Sequence, residues 1–315
     1  MMAARHLPVM LAEAVDAIDA SNGDVVVDTT FGGGGHSRAI LENLAPDGKV
    51  IGIDRDPKAG ERASGLLQDR RFSFRAGAFD QVLWDMVDED VWVDAILFDL
   101  GLSSYQIDES ERGFSYVQEG PLDMRMDPES GTSAAQFLNN AGEDELIRIL
   151  VNYGDVPRGE ARRVARQISR RRPLETTTDL ADAVRAAVGW KERGGNPSKK
   201  VFQAVRVHVN DELGGIERAL RAAERLLVAG GRLAAITFHS GEDRIVKRFI
   251  SQREGRCVCP PELPVCVCGA KPIFRRGVVA RPTKTEIEQN PRSASARLRV
   301  AVRTAEPLEG SEDES

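Results

Sequence analysis

The sequence predicts a doubly wound α/β sheet interrupted by an inserted all-helical domain. Three observations carry this. Short β-branched or apolar runs alternate with helical segments up to about residue 100 and again after about residue 210. Between those limits only helical periodicity is found. The first apolar run leads straight into four consecutive glycines, Gly32 to Gly35, and then a helix, which is how such sheets turn from strand to ligand.

Taken in order, Leu7 to Leu11 leads into a short amphipathic helix, with Leu11, Val15 and Ile18 near helical spacing. Strand one is Val25 to Phe31, followed by a helix from Arg38 to Leu44. Strand two is Lys49 to Asp54, and Pro57 opens a helix toward Leu67. Arg71 to Arg75 alternates and reads as strand three. Val93 to Asp99 is strand four, a near-continuous apolar run of the kind a buried parallel strand requires. Then come four helical stretches: Glu143 to Tyr153, Arg158 to Arg172, Asp179 to Val188 and Lys199 to Val209, with Asn196-Pro197-Ser198 as a helix start. A helix from Asp211 to Val228 is stopped by Gly230-Gly231. Strand five is Arg232 to Phe238, and a helix covers Glu242 to Gln252. Phe274 to Val279 and Leu298 to Arg303 are expected to close the sheet as an antiparallel pair.

Ligands of such sheets sit beyond the carboxyl ends of the strands. Asp28, Asp54, Asp99 and His239 all fall there. Glycine lets a ligand approach bare backbone, and the first N–H groups of the following helix favour electronegative atoms. The turn departs from the dinucleotide fingerprint, because Ser37 stands where the third glycine belongs. Asp54 lies about twenty residues past the glycines, where a carboxylate meets ribose hydroxyls. An acid at the tip of the first strand (Asp28) points away from hydride transfer and toward enzymes that bind S-adenosylmethionine.

The 315 residues suffice for one large domain or two moderate ones. No apolar run approaches the roughly 18 residues that span a bilayer, and the N-terminus has no apolar signal core. Cytoplasmic residence and no membrane partner are expected. The net charge of −6 owes much to a tail, from Glu306 on, with five acids and no base. Arg158 to Arg172 holds seven arginines against Glu160, a helix suited to phosphates or simply to water. All four cysteines, Cys257, Cys259, Cys266 and Cys268, lie in a C-x-C-x6-C-x-C cluster. Four thiolates can hold zinc, although the usual spacing is C-x2-C or longer.

Residues 28–37, Asp-Thr-Thr-Phe-Gly-Gly-Gly-Gly-His-Ser, are similar to the D-x-T-F-G-x-G-G-H-S motif of the bacterial 16S rRNA cytosine-N4 methyltransferases (the RsmH/MraW type). So are His6-Leu7-Pro8-Val9, Asp99 to Ser104, Arg112 to Ser115 and Gly120 to Met126. Phe202 to Arg206, Asn210 to Leu213, Phe238 to Ser240, Glu242 to Arg244 and Asn290 to Ser293 complete the likeness. Tyr105, Gly241 and Ala294 depart from it. The resemblance implies a Rossmann-like class I methyltransferase sheet in two parts, 1–105 and 211–305. It also implies an inserted helical RNA-recognition domain at 106–210, while 306–315 reads as a disordered acidic tail.

The resemblance further implies S-adenosylmethionine as cofactor and 16S rRNA of the small ribosomal subunit as partner. The target is the exocyclic N4 of a cytidine in the decoding region. Gly34, Gly35, His36, Asp54, Phe79, Asp99 and Gln106 are expected to bind the cofactor. Asp99 is the expected catalytic residue, with His239 as a second candidate, and no metal is expected in the site. Arg163, Arg166 and Arg170 are the expected RNA contacts. The chain could act as a homodimer. Two other readings compete: a nicotinamide-dependent oxidoreductase, for which no catalytic arrangement is visible, and a non-catalytic ribosome-assembly factor that binds rRNA through its arginines.

Overall fold

A computed structural model describes residues 8–20, 24–189, 196–255, 259 and 271–308. Its contacts divide the chain into two units, one running to Gly101 and resuming at Leu213, the other spanning Leu102–Glu212.

The first unit opens with α1 (Leu11–Ile18), β1 (Val25–Asp28), α2 (Gly35–Asn43), β2 (Lys49–Asp54) and α3 (Pro57–Ala63). It continues with β3 (Phe72–Ala76), α4 (Phe79–Asp88) and β4 (Val93–Asp99). The second unit holds α5 (Ser104–Asp108), a 3-10 turn, α6 (Ala134–Asn140), α7 (Glu143–Gly154), α8 (Arg158–Arg171), α9 (Thr177–Val188) and α10 (Ser198–Val209). The chain returns through α11 (Glu212–Leu226), β5 (Leu227–Thr237), α12 (Ser240–Arg253), β6 (Phe274–Ala280), α13 (Lys284–Gln289) and β7 (Arg297–Arg303).

The seven strands lie in the order β3-β2-β1-β4-β5-β7-β6. The first five run parallel, and β7 is antiparallel to both β5 and β6. This is the Rossmann-like class I methyltransferase sheet, with the switch of direction between β1 and β4. Alternation along β4 sorts its side chains. Ala95 and Leu97 pack with α1, α2 and α3, while Ile96 and Phe98 pack with α4, α11 and α12. Both faces are covered, which is why β4 reads as an unbroken apolar run.

Three boundaries differ from the sequence reading. β1 ends at Asp28 rather than Phe31, because Thr29 turns both its N–H and its hydroxyl back to the Leu97 carbonyl. The helix from Pro57 stops at Ala63, short of Leu67, and closes with tighter turns. β5 begins at Leu227, ahead of the glycines expected to precede it. Leu227 opposes Val93, and the register then slips until Arg232 opposes Ala95. Gly230, at φ 89°, sits in that bulge.

The second unit has its own apolar core, built from α6 to α10 around Leu146, Leu150, Ile168, Val184, Phe202 and Val205. Asn210 ties an irregular segment to it. Its side-chain N–H donates to the Met124 carbonyl, and its carbonyl oxygen accepts from the Met126 N–H at 2.7 Å. Arg172 is structural too, since its guanidinium donates to the carbonyls of Leu138 and Ala141. Of the expected tail, Glu306 pairs with Lys271 at 3.0 Å; residues 309–315 lie outside the described residues. Among the described residues, no helix is long and apolar enough to cross a membrane.

Candidate cofactor and methyl-transfer site

The site of the first unit is built on the loop from Asp28 to His36. Asp28 is fully buried and spent on the loop itself. One carboxylate oxygen accepts from the Thr30 N–H, the other from the Ser37 hydroxyl at 2.6 Å. Thr30 in turn accepts the Asp99 N–H on its hydroxyl, at 2.8 Å, tying the tip of β1 to the tip of β4. The sequence shows Ser37 only as a departure from the third glycine and Thr30 only as a motif residue; the role of each hydroxyl is visible in the structure alone.

The glycines are needed for two reasons. Gly34 has φ 74°, where a side chain is strained, and a Cβ there would lie 2.6 Å from the Phe31 ring. At Gly35 a Cβ would meet the Pro8 ring at 2.2 Å. The loop packs from below on Phe31, which is wedged between Phe72 and Phe74. Its peptide groups are held from β2 and α3: Gly32 N–H donates to Asp54 at 2.7 Å, and the Gly32 carbonyl accepts from Arg62.

Asp54 therefore stands beside the glycine loop at the end of β2. Its other oxygen accepts from the Asp56 N–H at 2.9 Å. Burial raises its carboxyl to about 6, against the lowering effect of those two N–H groups. Each oxygen keeps a further lone pair. Phe79, the first residue of α4, is half-buried and meets Phe98 edge-to-face at 5.9 Å.

Asp99 ends the central strand. Burial raises its carboxyl to about 6 as well; His36 opposes the shift, and Asp28 and Glu242 add to it. Its Oδ2 lies 3.5 Å from His36 Nδ1. Its Oδ1 is sealed from solvent and has no hydrogen-bond partner among the described residues. A buried orphan acceptor is costly and rare, and it suits a ligand that brings a donor. This arrangement fits S-adenosylmethionine: a carboxylate for ribose hydroxyls, an aromatic ring, a glycine loop and a central carboxylate.

His239 lies at the same edge but serves as the N-cap of α12. Its Nδ1 accepts from the Gly241 N–H at 3.2 Å, and its Nε2 lies 3.1 Å from Glu242 Oε1. Glu242 reaches back to the N–H groups of Phe238 and His239, completing a capping box. Nδ1 of His239 is thus engaged in the cap, while Nε2 is buried and makes no hydrogen bond among the described residues.

Gln106 and the three expected arginines belong to the second unit. Gln106 is buried and shares a capping box with Ser103 at the start of α5. Arg163, Arg166 and Arg170 are exposed on α8, with Arg163 also donating to the Ala187 carbonyl. Of the cysteine cluster, Cys259 is half-buried, while Cys257, Cys266 and Cys268 lie outside the described residues.

The whole chain has relatives. A protein of Rubrobacter xylanophilus named Ribosomal RNA small subunit methyltransferase H is 69% identical over 307 residues, covering 98% of each chain. Proteins of the same name from Thioalkalivibrio sulfidiphilus and Heliobacterium mobile are 47% and 45% identical. Those alignments cover 95% and 94% of this chain and 98% of each relative. The MraW methylase family model matches residues 3–304, so the chain belongs to this family of S-adenosylmethionine-dependent methyltransferases.

Proposed function

We propose that this protein methylates the exocyclic N4 of a specific cytidine in the decoding region of 16S rRNA within the small ribosomal subunit. The names of its full-length relatives support the rRNA substrate, and a bacterial rRNA substrate is in keeping with work in the cytoplasm. The partly exposed Asp99 carboxylate at the end of the central strand is the observation that carries the reading.

The bound cofactor supplies an activated methyl group. The protein's share is alignment and proton handling. Asp54 would accept hydrogen bonds from the ribose hydroxyls, Phe79 would lie beside the adenine, and Gly34, Gly35 and His36 would line the remainder. The cytosine amine is a poor nucleophile, because its lone pair is conjugated into the ring. An acceptor on one N–H favours a pyramidal nitrogen, and the partly exposed Asp99 carboxylate is the acceptor assigned to it. The base has to leave its stack to reach it. Arg163, Arg166 and Arg170 hold phosphates through charge, independent of sequence.

Mass spectrometry of rRNA nucleosides from cells with and without the protein is the test. Loss of one N4-methylated cytidine from small-subunit rRNA is expected, and an unchanged nucleoside profile sinks the proposal. Asp99→Ala, supplied in place of the wild type, is expected not to restore that nucleoside. Its single-turnover rate with saturating cofactor should fall far more than its RNA affinity.

A further inference from the structure

The expected RNA contacts, Arg163, Arg166 and Arg170, all stand on the second unit, while the glycine loop and Asp99 belong to the first. A base drawn out of its stack also needs its backbone held where the base is used. The first unit offers cations for this on α12 and β7.

Arg297 opens β7 opposite Thr237, the last residue of β5, and Asp99 lies opposite Ile236 on the other side of that strand. Arg297 therefore stands at the carboxyl edge, two strand spacings or about 10 Å from Asp99. It shares the Asp243 carboxylate of α12 with Arg299. Arg297 Nη1 donates to Oδ2 at 2.8 Å, while Arg299 donates through Nε to Oδ1 at 2.7 Å and through Nη2 to Oδ2 at 3.1 Å. Burial works to raise the Asp243 carboxyl, yet Arg299 and Arg297 hold it below its ordinary value. Two guanidiniums on one carboxylate leave one positive charge over, and a part-buried surplus charge is costly unless an anion meets it. The Arg299 side chain is only 10% exposed, whereas that of Arg297 is 32% exposed and commits one N–H to Asp243. The remaining donors of Arg297 are open to a ligand.

One turn along α12 from Asp243, Lys247 is exposed and has no hydrogen bond or ion pair among the described residues. With Arg276 and Arg299 it lines a groove between α12 and the β6–β7 pair, over Ile250, Val279 and Val300. Arg276 is matched by Glu254. Arg244, three residues before Lys247, is exposed and equally unmatched. The flank of α12 toward α11 differs, since Arg248 and Arg253 pair there with Glu217 and Glu224. Surplus positive charge on this helix is thus confined to Arg244, Lys247 and the flank shared with β7.

We propose that Arg244, Lys247 and Arg297 hold backbone phosphates of the bound rRNA on the methyltransferase unit, beside the nucleotide being methylated. This rests on the rRNA substrate and not on which atom receives the methyl group. A phosphodiester is the anion that fits, because a strand whose base enters this edge carries a phosphate at every nucleotide. The planar guanidinium of Arg297 supplies fixed donors, and Arg244 and Lys247 supply charge.

The test is filter binding of the full-length protein to a 16S rRNA transcript over a salt series. Arg244→Gln with Lys247→Gln removes two exposed cations that hold nothing in the fold. The slope of log affinity against log salt is expected to fall by about 0.7–1.4, according to whether the two cations meet one phosphate or two. Adding Arg297→Gln, which leaves Arg299 on Asp243, should lower it further. The charge-keeping pair Arg244→Lys with Lys247→Arg is expected to retain the wild-type slope. An unchanged slope in the double Gln variant overturns the proposal, and so does a slope equally reduced in the charge-keeping pair. If the double Gln variant binds the transcript normally but loses assembled small subunits, the surface meets a protein and the proposal falls. A chain that methylated another atom would fail the nucleoside test and still show the change of slope.

Discussion

Asp54 and Asp99 are carboxylates held at the edge of a sheet with too little water, and both are raised to about 6 from 3.8. The two consequences have opposite signs. A raised carboxyl stabilises the fold fully below pH 3.8, and that contribution is lost as pH rises through 6. The melting temperature of the free protein is therefore expected to rise when pH falls from 7 to 5.5. Cofactor affinity is expected to fall over the same window, because ribose hydroxyls donate to the ionised Asp54. Scanning calorimetry and isothermal titration at matched pH values check both; parallel trends would exclude this assignment. At pH 7.5, Asp54→Ala should weaken cofactor binding by about 1.5–3 kcal/mol, the worth of charge-assisted hydrogen bonds. At this scale the sequence was legible where an acid ended a strand. What each acid faces was not. Asp28 and Asp54 have the same local pattern, yet Asp28 is consumed by Ser37 and Thr30, while Asp54 keeps lone pairs beyond two peptide N–H groups. Of these bonds, only that between Gly32 and Asp54 waits for β1 and β2 to pair; the others depend on how the loop after each strand turns.

Among elements, α8 shows how far composition carries. Its buried face is Ala161, Val164, Ala165 and Ile168, so the arginines are driven outward by amphipathic spacing alone. Arg172, one residue past its end, turns inward to cap another segment's carbonyls and belongs to the fold. Replacing Arg163, Arg166 and Arg170 together by Gln should leave the melting temperature nearly unchanged. It should flatten the log–log salt dependence of rRNA binding by roughly 2–3. Filter binding over a salt series measures the slope, and an unchanged slope means that RNA is held elsewhere. Strands were read well where both faces are buried, as in β2 and β4. The start of β5 was missed, because a strand that survives a bulge looks in sequence like a helix end followed by a glycine turn. α4 was also passed over, since its first turn carries no side-chain cap.

At the scale of the molecule, the two units have separate cores. The second has helices with three side-chain caps and an apolar interior of its own. A fragment of residues 102–212 is expected to be helical and to melt cooperatively by circular dichroism. A non-cooperative, temperature-linear signal would show that its core does not hold by itself. The insert was legible as a break in βα alternation, because periodicity changes where the sheet is interrupted. Its irregular stretch between α5 and α6 was not, since it depends on Asn210, far away in sequence.

The bulge-bearing strand has a bearing on how the chain is made. β4 pairs with β1 on one side and β5 on the other, with Phe98 opposite Ala235 and Asp99 opposite Ile236. During synthesis β4 emerges with only one of its two neighbours present. At about 5–20 residues per second, the second arrives on the order of ten seconds later. Meanwhile all residues of the inserted unit, which has its own apolar core, have been made. The open flank of β4 is apolar on both faces, so for that interval the growing chain exposes its most aggregation-prone edge. Slower passage of the ribosome between β4 and β5, or less chaperone access in that interval, is therefore expected to lower the yield of folded protein.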